Sequence, residues 1–176
     1  MVADSIGCIN FKPGDTAMKL SNEQMSSLVH LAFSRMDGAW FMAVAKKYGI
    51  EAAWEMDVEA WKQFSYVMGK NLAKQATAEP SWPGTFLDAM SVFMNVLGMT
   101  GRSITVDDGA ITIRVTDCEV QKGIAKAGIA DCGIVTVETY QGLVRGLFGK
   151  DVNISVEHTK NLNHGDDCCE VVIRTG

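Results

Sequence analysis

Six side chains in the last third of the chain could hold a metal or attack an electrophile: Cys118, Cys132, His158, His164, Cys168 and Cys169. Thiolates bind zinc or act as nucleophiles, and a neutral imidazole serves as ligand or base. The spacings Cys118–x13–Cys132 and His164–x3–Cys168 lack the tight C-x2-C pair of a zinc finger. Free cysteines also pack as small hydrophobes, so spacing alone leaves both readings open. Cys132 stands just before a helical pattern, where the partial positive charge of a helix N-terminus favours a thiolate. Asp166 and Asp167 share a loop with His164.

The elements that position these residues follow from hydrophobic period. Ser21-Asn22-Glu23-Gln24 has the form of a capping box. Behind it Met25, Leu28, Val29, Ala32, Phe33, Met36, Trp40, Phe41, Val44 and Tyr48 recur at helical spacing, and Gly49 fits the end. A second helix is predicted from Glu51 to Ala76, and Pro80 and Pro83 must break it. A third, Thr85 to Leu97, is apolar on most sides and therefore central. After Gly101 the period falls to two. Ile104 and Val106, the turn Asp107-Asp108-Gly109, then Ile111, Ile113 and Val115 read as a β-hairpin. A short helix over 119–129 and an amphipathic helix over 133–148 come next.

Two closing strands carry the chemistry. Val152 to His158 puts Val152, Ile154, Val156 and His158 on one face, and Cys168 to Arg174 puts Cys169, Val171 and Ile173 on one face. Pairing Val156 with Val171 would set His158 opposite Cys169, at about 4.5–5.5 Å between Cβ atoms. Cys168 would point the other way. The fold class is therefore α+β: an N-terminal helical layer packed on a C-terminal antiparallel sheet crossed by an amphipathic helix. One domain spans 1–176, with a lead-in over 1–20, a helical half over 21–99 and a sheet-containing half over 101–176.

Composition narrows the function. The chain has 176 residues, 47% hydrophobic and 21% charged, with a net charge of −5. No basic stripe exists to bind nucleic acid. No run is long and apolar enough to span a membrane, and the N-terminus lacks the pattern of a signal peptide. Together with an odd number of cysteines, five, this points to a reducing cytoplasm. Motifs of triad hydrolases, zincins, P-loop NTPases and dinucleotide enzymes are missing. Trp40, Trp54, Trp61, Met36, Met68, Met90 and Met94 could line an apolar pocket between helices, although such stripes are usually core. Asp37-Gly38 inside a helix is unfavourable in propensity and suggests a required carboxylate or close packing; Trp40, Asp37 and Trp61 are candidate ligand contacts. The three N-terminal helices offer more apolar surface than one sheet can cover, which implies a homodimer.

The segments Cys118-Glu-Val-Gln-Lys, Ala127-Gly128-Ile129-Ala-Asp131-Cys132, Tyr140 and His164-Gly165-Asp166-Asp167-Cys168-Cys169-Glu170 resemble an uncharacterised family of small cytosolic bacterial and archaeal proteins. Arg35-Met-Asp37-Gly38-Ala-Trp40-Phe41 and Gly49-x-Glu51-x-Ala53 add to the likeness, which runs over about 25–174. The pattern departs at Glu119, where proline is expected, at Val171, where an aromatic is, and near His158, where a further cysteine is. The closing Gly-Asp-x-x-Cys is also similar to the 4-vinyl reductase domain and to L-2-amino-thiazoline-4-carboxylic acid hydrolase. The resemblance implies a small-molecule-binding protein whose Cys118, Cys132, His158 and Cys169 hold a metal, zinc. The kinship of the 4-vinyl reductase domain with haem-dependent nitric-oxide sensors leaves haem open beside zinc. The alternative is a thiol-dependent hydrolase of small heterocyclic or amide substrates, with Cys132 or Cys169 as nucleophile and His158 or His164 as base.

Overall fold

A computed structural model describes residues 19–99 and 101–176. The chain before residue 19, which holds most of the expected lead-in, lies outside the described residues. Three helices come first, α1 (Asn22–Tyr48), α2 (Ile50–Ala73) and α3 (Gly84–Val96). The hairpin β1 (Arg102–Asp107) and β2 (Ala110–Val115) follows, then α4 (Glu119–Lys126) and α5 (Gly133–Phe148), then β3 (Ile154–Lys160) and β4 (Cys169–Thr175). A single 3-10 turn, Leu162–His164, joins β3 to β4.

Local sequence explains the ends. The Ser21 hydroxyl accepts from the Gln24 N–H at 3.2 Å, while the Gln24 side chain accepts from the Ser21 N–H at 2.9 Å. Both halves of the capping box are thus made, and two orphan donors of α1 are satisfied. Asp108 at φ 46° and Gly109 at φ 74° turn the β1–β2 hairpin, which needs left-handed backbone at both central residues. α2 stops at Ala73, three residues short of the expected Ala76.

The four strands form one antiparallel sheet in the order β1-β2-β4-β3. Ile111, Ile113, Val156, Val171 and Ile173 are buried on one side of it. They share a single core with Tyr140, Leu143, Val144 and Leu147 of α5 and with Phe86, Met90 and Phe93 of α3. Arg114 and Glu170, alternating with these residues, form an ion pair.

α2 crosses α5 with almost no side chain between the backbones. A Cβ on Gly146 would lie 2.9 Å from the Gly69 Cα, and one on Gly142 would lie 2.8 Å from the Lys62 carbonyl oxygen. Glycine is required at both for this approach. α1 packs on α2 through Phe33, whose ring stacks on Phe64 at 5.5 Å and meets Trp61 edge-on at 6.1 Å. Among the described residues no helix is long and apolar enough to cross a membrane.

The β3–β4 register differs from the expected one by two residues. Val156 pairs with Ile173 and His158 pairs with Val171, so His158 and Cys169 are not cross-strand partners. A bulge between His158 and Lys160 then brings Lys160 to Glu170. A shift of two keeps every side chain on its predicted face, so the hydrophobic pattern cannot tell the two registers apart. The turn chemistry decides between them. Asn161 accepts from the Asn163 N–H at 2.9 Å and its own N–H donates to Asp166 at 2.7 Å, which fixes where β3 ends.

Candidate functional site

The residues with chemical potential gather where α5 begins and where β3 turns into β4. Asp131 is the centre of the polar part. Its Oδ1 accepts the Gly133 N–H at 2.6 Å and the Asn161 Nδ2–H at 2.7 Å, and its Oδ2 lies 3.6 Å from His164 Nε2. A carboxylate holding the first N–H of a helix is the usual partner for that end of the dipole. Asn161 is buried, and its hydrogen bonds tie the turn to the helix start.

His158 packs its Nδ1 edge against Gly133, where an added Cβ would come within 2.6 Å. Its Nε2 is buried and finds no hydrogen-bond partner among the described residues. Burial holds the imidazole below its ordinary pKa; Asp131 opposes that and His164 reinforces it. A neutral imidazole with one bare nitrogen is a competent metal donor or hydrogen-bonding group. These residues line a cleft of about 200 Å³, with Asp131, Gly133, His158, Asn161, His164 and Asp166 on its walls.

Cys132 stands at the same helix start, with Cys169 and Cys118 within its electrostatic reach. It is buried, and burial pushes its thiol up to about 11, with Cys169, Cys118 and Asp131 each adding to the rise. Desolvation thus works against the thiolate expected at a helix start. Cys169 is likewise raised by burial, and its sulfur accepts the Leu162 N–H at 3.4 Å. Cys118 is the N-cap of α4, and its sulfur accepts the Gln121 N–H at 3.4 Å. Arg102 is the cation whose field reaches Cys169 and the buried Tyr140. Cys168 points elsewhere, toward Asp167 at 3.6 Å.

Of the predicted ligands, Cys118, Cys132 and Cys169 therefore come within one another's electrostatic reach, and His158 joins the Asp131 end of the group. The donor types suit zinc, and the bare His158 Nε2 is the buried atom that a metal would satisfy. As the side chains lie, no group of three or more His, Cys, Asp or Glu among the described residues is arranged to hold a metal ion.

Of the three candidate ligand contacts on the helices, Trp40 is 65% exposed and Trp61 packs among Phe33 and Phe64. Asp37 is half-buried near Asp57; burial and then the Asp37 charge raise Asp57 to about 6. Sequence reasoning missed Asp131, Asn161 and Arg102. Asp131 was legible as the acid directly before the helix start; Asn161 and Arg102 carry no signal without the register.

In sequence, residues 18–163 match a family of unknown function, DUF6125, and the chain belongs to it. No curated protein matches the chain. Among solved structures it is similar to a trafficking protein particle complex subunit 3 from Naegleria fowleri, covalently bound to palmitic acid. That match has a TM-score of 0.52 at 17% identity and covers 88% of this chain and 97% of the other. At this identity the likeness is one of fold.

Proposed function

We propose that this member of the family is a small-molecule-binding protein with a zinc site in its C-terminal half, held by Cys118, Cys132, His158 and Cys169. What supports the reading is that Cys118 and Cys169 lie within electrostatic reach of Cys132 at the start of α5, and that the His158 Nε2 is buried and bare. Zinc would supply a charge that compensates the thiolates and satisfies that nitrogen, and loading it requires the donors to close in. The small molecule enters the neighbouring cleft, where Asp131, Asn161 and His164 offer hydrogen bonds and Ile134 an apolar wall. A fold similar to that of a protein solved with covalently bound palmitic acid agrees with a ligand-binding role. The working form is a homodimer joined through the N-terminal helices.

Elemental analysis of protein purified without chelator tests the metal. One zinc per chain, lost in Cys132→Ser and in His158→Ala, is the expected result. Metal-free protein from zinc-containing medium, still folded, would overturn the zinc site. Iodoacetamide separates the hydrolase alternative: an activated Cys132 or Cys169 would alkylate within minutes at neutral pH, whereas buried or chelated thiols resist.

A further inference from the structure

We propose that α1 is half of a two-fold helix pair, in which a second copy of this chain packs its own α1 antiparallel against the first. This names the interface of the homodimer and rests on that reading. Between Glu23 and Lys46 the helix carries only Arg35, Asp37 and His30 as ionisable groups. A helix apolar around most of its circumference belongs in a protein interior. Yet α1 uses one side only, with His30, Asp37, Phe41, Val44 and Ala45 turned inward.

The exposed side has a period of its own. Met25, Val29, Ala32, Met36, Ala39 and Ala43 are all exposed, and their spacing alternates four and three residues. That alternation is the seam of a coiled coil, which wants another helix of the same repeat rather than a flat lipid surface or an extended peptide. Leu28, Leu31, Trp40 and Met42 beside it are exposed too, so the apolar surface extends past the seam, toward the about 800 Å² per partner that a standard stable interface takes.

Self-complementarity selects a second copy and sets its direction. Antiparallel pairing about Ser34 puts Met25 opposite Ala43, Val29 opposite Ala39 and Ala32 opposite Met36. Large meets small at every level, as a packed seam requires. Parallel pairing would set Met on Met and Ala on Ala. The ends agree, because Glu23 lies in the first turn and Lys46 and Lys47 in the last. Antiparallel copies bring each acidic end beside a basic one and oppose the two helix dipoles.

Light scattering and sedimentation velocity of the full chain between micromolar and 100-micromolar concentration test this, together with cross-linking. The wild type should be a dimer. Ala32→Glu should weaken it ~100-fold by burying a charge in the seam, with the same helical circular dichroism as the wild type. Mixing Ala32→Cys protein with Met36→Cys protein should give a mixed disulfide dimer beyond the wild-type background, and Val29→Cys alone should not. A monomeric wild type would overturn both the homodimer and the pair, and would assign the seam to residues 1–18 or to a different partner. A dimer indifferent to Ala32→Glu, or one linked through Val29→Cys, would keep the homodimer and overturn the antiparallel seam.

Discussion

Substituting Gly146→Ala puts the α2–α5 crossing to a direct test. The new Cβ would lie 2.9 Å from both the Gly69 Cα and the Lys70 nitrogen, with the Tyr66 carbonyl oxygen nearer still. Carbon atoms settle at about 3.5–4.0 Å, so the helices must part by roughly half an ångström or more. All the obstructing atoms are backbone, so no side chain can swing away. Overpacking of this kind costs about 1–3 kcal/mol. The gain in helix propensity from Gly to Ala offsets about 1 kcal/mol of strain. Because α5 also carries Tyr140, Leu143, Val144 and Leu147 into the core, parting the helices disturbs the sheet contact too. A net loss of about 1–2 kcal/mol is expected, which lowers the melting temperature by about 2–8 °C for a domain of this size. Gly38→Ala is the control: it sits in α1 with nothing within 4 Å of an added Cβ. It should raise stability by about 0.5–1 kcal/mol through propensity alone. Thermal melts by circular dichroism measure both. A Gly146→Ala melt within 1 °C of wild type (~1 °C being below the expected shift), or an equal loss in Gly38→Ala, would refute the close crossing.

Three further outcomes follow from named groups. Asp57 is raised to about 6 by burial and by Asp37, so its ionisation opposes folding. The protonated carboxyl carries no such penalty below pH ~4, and the penalty is complete once pH has risen through ~6. Asp57→Asn should therefore add about 1–2 kcal/mol at pH 8 in urea unfolding, after discounting for the water that still reaches the carboxyl, and little at pH 4; an equal effect at both would sink the assignment. Asn161→Ala removes the bonds to Asp131 and to the Asn163 N–H. It should cost about 1–2 kcal/mol by removing two part-buried hydrogen bonds, and a loss under about 0.5 kcal/mol would show that the turn does not depend on it. Gly133→Ala should push His158 off the helix start, since the new Cβ would lie 2.6 Å from Nδ1. An unchanged His158 imidazole resonance in NMR would count against that packing.

Short-range physics made most elements readable in the chain itself. The capping box at Ser21, the turn at Asp108-Gly109 and the glycines ending α1 and α5 act within a few residues, and each stands where local chemistry puts it. The switch of hydrophobic period after Gly101 separated helical half from sheet half, because burial on one face imposes the period of the element. Face was legible in the same way: His158 lies on the side predicted from Val156. Register was not, since a shift by two leaves every face unchanged, and it took the bulge and the Asn161 turn to set it. The state of Cys132 was not legible either. A helix start favours a thiolate, but only the tertiary fold determines how much water is removed and which groups lie near, and here burial raises the thiol, with Cys169, Cys118 and Asp131 adding to the rise. The α2–α5 crossing belongs to the same class. Gly69, Gly142 and Gly146 read as poor helix formers in one dimension, and become a close backbone contact only when the two helices meet.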